Sequence, residues 1–210
     1  MLLDSAPPVL VVTVALVLDV AFVAVAFGLR TWLQVRHCGE GGWRLGRPHS
    51  AAELVARLLL VLSGVVLVAA VAVAGDRRWL LVALGAAGSL GAIALTTTAQ
   101  LHMGSSWRIG IDPAERTALV TGGLYRRIRN PIYTGMVAFA MSQAVLIGGV
   151  WAWAAALMMA VGVEVQVRAV EEPYLRRVHG PAYRRWAAVA GRFTPVLGRE
   201  RPVAARTAAT

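Results

Sequence analysis

The sequence is poor in cysteine and in charge, and it contains no lysine. Cys38 is the single cysteine among 210 residues, which excludes an internal disulfide framework. The four histidines have no metal-ligand spacing, so no metal site is expected. Gly122-Gly123 lacks the further glycine and the flanking strand of a nucleotide-binding phosphate loop. Only 15% of the residues are charged and 58% are hydrophobic, whereas soluble domains have about 25% and about 45–50%, so the composition indicates a membrane protein.

The positive charge is carried by arginine alone. All 21 basic residues are arginines, and the formal net charge is +10. They cluster between apolar runs rather than on one soluble face, so we expect no nucleic-acid partner and interpret the basic loops as topology signals.

Five apolar runs approach the roughly 20 residues that a membrane-spanning helix needs. They are Val9–Leu29, Leu54–Ala74, Trp79–Leu101, Ile132–Val150 and Trp151–Val167. Almost nothing separates the last two, so they are expected to form a tight antiparallel hairpin. With the N-terminus outside and the C-terminus inside, 18 of the 21 arginines lie on the inner side. The prediction is an all-α integral membrane protein with five transmembrane helices, N-out and C-in, in a bacterial cytoplasmic membrane.

The segment Glu171–Pro195 alternates apolar and charged residues and does not predict a sixth span. Pro181 disfavours a continuous helix there, so we expect two short amphipathic pieces on the cytoplasmic membrane surface. The tail 197–210, rich in alanine and arginine, is expected to be disordered.

Two features inside the spans allow both structural and functional interpretations. Gly85, Gly88 and Gly91 permit close helix approach in lipid, which favours packing within the chain over a dimer interface, so no oligomer is required. Asp19 lies in the middle of the first span, where a carboxylate is a candidate functional group. A structural hydrogen bond or a position facing water is the favoured interpretation, because nothing else in that span is ionisable.

Four ionisable residues lie near the end of the fifth run. On a continuing helix, Glu164, Arg168, Glu171 and Glu172 share one face and can pair. One interpretation is a structural ion-pair network. The other is that a carboxylate holds the hydroxyls or the amino group of a bound cofactor while Arg168 orients it.

The segment Arg129–Tyr133 joins a basic loop to the fourth run. Pro131 suits the first turn of a helix, and Asn130 suits the N-cap. Exposed backbone donors at such a helix start attract an anion or a carboxylate. A basic helix cap at the membrane interface is the alternative.

Residues from about 103 to 195 resemble the isoprenylcysteine carboxyl methyltransferase and phospholipid methyltransferase superfamily. Five segments match its motifs in order and spacing: Gly123-Leu124-Tyr125, Arg129-Asn130-Pro131-Ile132-Tyr133-Thr134-Gly135, Glu171-Glu172-Pro173-Tyr174-Leu175, His179-Gly180-Pro181-Ala182-Tyr183 and Arg192-Phe193-Thr194-Pro195. One position departs from the family, because Asn130 stands where the motif has histidine. Asparagine can cap a helix and hydrogen-bond a cofactor, but it cannot take a proton near neutral pH.

The resemblance implies a membrane enzyme that binds S-adenosylmethionine on the cytoplasmic side and methylates a lipophilic acceptor from the bilayer. The acceptor atom is left open between a carboxylate, an amine and a hydroxyl. The cofactor-binding residues that it implies are Leu124, Tyr125, Arg129, Asn130, Pro131, Tyr133, Gly135, Glu171, Glu172 and Tyr183. The catalytic candidates are Arg129, Arg168, Glu172 and Tyr133.

The resemblance also divides the chain. Residues 1–101 form three variable helices on a possible substrate side, 102–196 form the cofactor core, and 197–210 form the tail. The same C-terminal architecture occurs in membrane sterol reductases that use NADPH. A reductase of a sterol-like lipid and a non-catalytic membrane binding protein are therefore the alternatives.

Overall fold

A computed structural model describes residues 5–41, 46–107 and 118–200, and most of these residues are helical. The described part of the chain begins with a two-residue strand and an α-helix that continues through a π-helical turn into a second α-helix. These elements are β1 (Ser5–Ala6), α1 (Pro8–Val23), the π-helical turn Ala24–Leu29 and α2 (Arg30–Cys38). Next come α3 (Ala51–Val71), β2 (Arg77–Arg78), α4 (Trp79–Met103) and the 3₁₀ turns Gly104–Ser106 and Gly123–Arg126. The last elements are α5 (Pro131–Ile147), α6 (Gly149–Val165), the π-helical turn Gln166–Glu171 and α7 (Glu172–Val189).

Four continuous helical stretches in the described part of the chain are long and apolar enough to cross a membrane. They are Pro8–Cys38, Ala51–Val71, Trp79–Met103 and Gly149–Val189. The predicted fourth span is present as α5, but it has only 17 residues. At about 1.5 Å per residue it is shorter than the roughly 30 Å hydrocarbon core, since Pro131 begins it and Gly148 ends it. The fold is therefore that of an all-helical integral membrane protein with four candidate spans and one shorter apolar helix.

The first helix is longer than the sequence predicted. We expected the span to end at Leu29 and the following arginines to lie in a loop, but helical structure continues to Cys38. The polar residues that begin at Arg30 end the apolar run but not the helix, because they continue it as the amphipathic helix α2. Its Arg30 and Gln34 are buried against the protein, whereas Trp32 is exposed.

A short strand pair aligns α1 and α4. Ser5 pairs with Arg78 and Ala6 with Arg77 in antiparallel register, so both helices begin side by side. Gln100 near the end of α4 contacts the Ala26 carbonyl oxygen beyond the end of α1, so the two helices run in the same direction. Further along α1, Phe22 stacks on Phe139 of α5 with ring centroids 4.3 Å apart. These contacts fix the first helix against the α4–α5 pair.

Small residues bring α4 and α5 into close contact, as expected for packing within the chain. A Cβ atom on Gly85 would lie 2.5 Å from the Cβ of Leu146, and one on Gly135 would lie 2.1 Å from Thr96 Oγ1. Gly88 faces Ser142 in the same way, whereas Gly91 has open space around its Cα. Gly135 thus serves helix packing in this fold.

The hairpin predicted between the fourth and fifth runs is present. Gly148 joins α5 to α6 with a φ of 74°, a left-handed value that favours glycine. The Arg77 guanidinium lies against this turn and donates from Nη2 to the Val145 carbonyl oxygen at 3.0 Å.

The C-terminal segment also breaks near the predicted position. The helical path of α7 is interrupted at Gly180, immediately before Pro181. In the tail, Leu197–Glu200 pack back on the protein, since the Glu200 N–H donates to the Ala187 carbonyl oxygen at 2.9 Å. The rest of the predicted tail, 201–210, lies outside the described residues.

Asp19 lies in α1 with both carboxylate oxygens buried. Among the described residues, neither oxygen has a hydrogen-bond partner, so the structure shows neither the structural hydrogen bond nor the position facing water that we expected. The side-chain amide of Gln143 in α5 is likewise buried without a partner in this part of the chain.

Candidate active site

A cleft opens where the end of α4, the start of α5 and the start of α7 meet. Its empty volume, including the open mouth, is about 570 Å³. Small-molecule sites combine apolar walls with a few polar groups. The lining residues are Met103, Ser106, Ala118, Leu119, Val120, Tyr125, Arg129, Asn130, Ile132, Tyr133, Glu171, Leu175 and Trp186.

The N-terminus of α5 forms one wall of this cleft. Asn130 occupies the N-cap position, as predicted, but its side chain makes no capping hydrogen bond. Its Nδ2 donates instead to the Arg192 carbonyl oxygen at 3.1 Å. The first-turn N–H groups of a helix have no acceptor within the helix, so those of Ile132 and Tyr133 are suited to an anionic ligand.

Glu171 reaches the cleft from the π-helical turn before α7. Its Oε1 accepts a hydrogen bond from the Tyr133 hydroxyl and one from Gln166 Nε2 at 3.4 Å. No Arg or Lys in the described residues lies within ion-pair distance of Glu171. The carboxyl group therefore has no counter-charge among the described residues and is available to a ligand.

Tyr125 presents a buried hydroxyl to the same cleft. The residue is only 3% exposed, and its hydroxyl has no hydrogen-bond partner in the described part of the chain. Burial, and secondarily the charge of Glu171, raise the pKa of Tyr125 above its ordinary value. The phenol therefore stays protonated near neutral pH and has a hydrogen to donate.

Glu172 faces away from the cleft into a cluster of arginines. Its carboxylate accepts from Arg129 Nη2 at 2.7 Å, Arg192 Nε at 2.8 Å and Arg176 Nη2 at 3.1 Å. The hydrogen bond to Glu172 raises the pKa of the Arg192 guanidinium. Glu172 and these arginines form what we call the ionic cluster.

Arg129 connects the ionic cluster to the backbone around it. Its side chain is 1% exposed, and Nη1 donates to the carbonyl oxygens of Ala187 and Ala190 at 3.1 and 2.7 Å. Its Nη2 also donates to the Gly198 carbonyl oxygen at 3.1 Å. Arg129 borders the cleft, but its guanidinium binds α7 and the segment after it.

Arg168 lies outside the site. It pairs with Glu164 on the surface, where the two side chains are 59% and 44% exposed. The shared face expected for the four ionisable residues is only partly formed, because the turn Gln166–Glu171 is π-helical. That turn changes the helical register, so Glu171 and Glu172 do not face Arg168.

The structure brings half of the predicted cofactor residues to the cleft. Those that line it are Tyr125, Arg129, Asn130, Tyr133 and Glu171; Leu124, Pro131, Gly135, Glu172 and Tyr183 lie behind it. Of the catalytic candidates, Arg129 and Tyr133 line the cleft, and Glu172 and Arg168 do not.

Several site residues were missed by sequence reasoning. Trp186 lines the cleft and donates from Nε1 to the Tyr125 carbonyl oxygen at 2.8 Å. Tyr183, which is among the predicted cofactor residues, packs edge-on against Trp186 with ring centroids 5.7 Å apart. Gln166 interrupts an apolar run, and that polarity was the available signal for its contact with Glu171.

Comparison with known proteins gives one family match. The model of the phospholipid methyltransferase family matches residues 80–182. This stretch runs from the start of α4 into α7 and contains the α5 start, the hairpin and both adjacent glutamates. No curated protein matches the chain.

Proposed function

Because this chain belongs to the phospholipid methyltransferase family of integral membrane methyltransferases, we propose that it methylates a lipophilic acceptor with S-adenosylmethionine. The observation that carries the proposal is the hydrogen-bonded pair of Tyr133 and Glu171 in the cleft. A carboxylate and two phenols in a cleft otherwise lined mainly by apolar side chains suit a cationic cofactor and a lipid-like acceptor.

The polar groups of the cleft fit the chemistry of this cofactor. Its sulfonium and ammonium are cations, and its carboxylate is an anion. Glu171 supplies a negative charge, and the first-turn N–H groups of α5 supply donors for a carboxylate. The buried hydroxyl of Tyr125 lacks a partner among the described residues, and a bound ligand would provide one.

S-adenosylmethionine, when bound, supplies a methyl group that is already activated for displacement. The protein then has to align the acceptor, exclude water and manage a proton. Glu171 Oε1 is occupied by Tyr133 and Gln166, which leaves Oε2 to take a proton from an acceptor amine or hydroxyl. A carboxylate acceptor would meet the negative charge of Glu171, so an acceptor that releases a proton fits this cleft better.

We further propose the five-span topology, with the cleft on the cytoplasmic side of a bacterial inner membrane. The strand pair supports it, because it keeps Ser5 and Arg78 on one side of the membrane, as an N-out chain with two crossings between them requires. The tail arginines and the basic loops then lie inside. In this topology α5 is the fourth of the five spans and is a short one.

Calorimetry on purified protein tests the cofactor proposal. S-adenosylmethionine should bind with micromolar-range affinity, about −8 kcal/mol. Glu171→Gln should weaken binding strongly, and Arg168→Gln, which changes an exposed ion pair, should not. A heat signal with NADPH and none with S-adenosylmethionine would overturn the proposal.

Reporter fusions test the topology. A fusion after Thr210 should be cytoplasmic, and an insertion at Asp76-Arg77 should be external. An external C-terminus would contradict both the topology and the cytoplasmic cleft.

A further inference from the structure

The first helical stretch, Pro8–Cys38, contacts the wall of the cleft, although it lies outside the residues 80–182 that match the family model. A π-helical turn, Ala24–Leu29, separates α1 from α2. Such turns free a main-chain carbonyl and often mark functional sites. Here Gln100 Nε2 donates to the Ala26 carbonyl oxygen at 2.8 Å in a buried contact, which fixes the turn against α4.

Arg30 follows this turn directly and reaches the end of α4. It is 6% exposed, and its Nη2 donates to the Gly104 carbonyl oxygen. Its guanidinium also lies over the Trp107 ring, 4.8 Å from the centroid. A partly buried hydrogen bond from a charged group and a cation–π contact between two buried residues both stabilise the position of an element.

The element that Arg30 holds forms part of the cleft. Gly104 ends α4 and begins the 3₁₀ turn Gly104–Ser106. Met103 and Ser106 line the cleft on either side of Gly104.

We propose that Arg30 is a positioning residue that sets the acceptor-side wall of the cleft, and so makes the first helix part of acceptor selection. The inference rests on the proposed methyl transfer for its substrate and on the Arg30 contacts for its geometry. Met103 and Ser106 are uncharged and line the same cleft as Tyr133 and Glu171, the polar groups assigned to the cofactor, so the wall that Arg30 holds suits a lipid-like acceptor. Loss of Arg30 should therefore change acceptor use and leave cofactor affinity unchanged.

The chain offers a matched control on the same helix. Arg36 also stacks on a tryptophan, with its guanidinium 4.4 Å from the Trp32 ring, but both residues are exposed and neither lines the cleft. Arg30→Met and Arg36→Met remove the same charge and the same kind of ring contact. Arg30→Lys keeps a cation that can still reach a carbonyl and a ring, so it should rescue part of the effect.

The first measurement needs no acceptor. In a Cys38→Ser background, Ser106→Cys places a single thiol on the wall, and its labelling rate with a small maleimide reports how tightly the wall is held. Arg30→Met should speed labelling about tenfold, Arg30→Lys less, and Arg36→Met not at all. Equal labelling rates in all variants would overturn the proposal.

The second measurement separates positioning from general support. Binding of S-adenosylhomocysteine should stay within about twofold in Arg30→Met, well under the 1.4 kcal/mol that a tenfold change represents. With labelled S-adenosylmethionine and vesicles of total lipid from the source cells, the apparent KM for lipid should rise more than kcat falls. Equal loss of cofactor binding and lipid use would make Arg30 a general support and overturn the proposal. If the wild type binds no cofactor, the methyltransferase proposal fails, and the labelling rates still decide whether Arg30 holds the wall.

Discussion

The cleft and the ionic cluster contain neighbouring glutamates in opposite environments. In the cleft, Glu171 contacts a phenol and an amide, and no Arg or Lys in the described residues forms an ion pair with it. In the cluster, Glu172 contacts three guanidinium groups and is 2% exposed. The charge of Glu172 is neutralised by the protein, whereas that of Glu171 is left for a ligand. Of these two adjacent carboxylates, Glu171 is therefore suited to binding a ligand and Glu172 to stabilising the fold.

The largest expected effect is on stability, from Glu172→Gln. The change leaves the buried guanidinium of Arg129 without its counter-charge, and breaking such a buried pair costs about 3–5 kcal/mol. Glu171→Gln keeps the hydrogen-bond geometry and removes no ion pair, so its cost should stay below about 1 kcal/mol. Thermal unfolding of the detergent-solubilised variants, followed by tryptophan fluorescence, measures the difference.

An exposed ion pair provides the control for that experiment. Glu164 and Arg168 are paired on the surface, and pairs of this kind contribute about 0–1 kcal/mol. Glu164→Gln should therefore unfold close to the wild-type temperature. If Glu172→Gln unfolds at the same temperature as Glu164→Gln and the wild type, the ionic cluster does not stabilise the fold.

The second effect is on methyl transfer, from Glu171→Gln. Removing a positioned base slows a proton-dependent reaction by about 10²–10⁴-fold. We expect Glu171→Gln to lose at least about a hundredfold in kcat/KM with an amine or hydroxyl acceptor, and Tyr133→Phe to lose less. Transfer of labelled methyl groups into vesicles of total lipid from the source cells measures both. Full activity in Glu171→Gln would mean that the acceptor is a carboxylate or that another group takes the proton.

The sequence predicted the hairpin and the start of α5 from local patterns, and it singled out the glutamate pair as a candidate site. It did not predict which glutamate enters the cleft. That choice depends on the π-helical turn Gln166–Glu171, whose register no hydrophobic pattern revealed. The partners of Arg129 were hidden for a related reason, since its carbonyl acceptors lie 58 to 69 residues away.

The sequence pattern also did not reveal the length of the first helix. Hydropathy shows only the apolar run, which ends at Leu29. The helix itself continues to Cys38, because the residues after Leu29 keep an amphipathic helical pattern. Arg30 resembled a loop arginine that sets topology, and only its contacts with Gly104 and Trp107 reveal a different role.

A smaller effect is expected at Asn130, which touches both regions because it borders the cleft and bonds Arg192. Asn130→Ala removes the hydrogen bond to the Arg192 carbonyl oxygen, a loss of about 1 kcal/mol of stability. Asn130→Asp should lose more, because it places an oxygen opposite an oxygen and adds a negative charge where the cofactor carboxylate is expected. Asn130→His keeps a donor and should come closest to the wild type.

Calorimetric titration with S-adenosylmethionine and thermal unfolding rank the three variants. The expected order of both affinity and stability is His, then Ala, then Asp. If Asn130→Ala equals the wild type in both measurements, the hydrogen bond to Arg192 does not position the start of α5.

The smallest effect is expected at Asp19, the buried carboxylate that contrasts most sharply with Glu172. Its oxygens have no partner among the described residues, so the protein bears the cost of burying a polar group without a compensating contact. Asp19→Leu removes that cost at similar volume and should leave stability unchanged or raise it by up to about 1 kcal/mol. Thr13→Leu, a change at an exposed position on the same helix, is the control. Thermal unfolding and methyl transfer are measured together. A drop of more than about 1 kcal/mol, or a loss of transfer at normal stability, would show that Asp19 serves a functional purpose that its surroundings do not reveal.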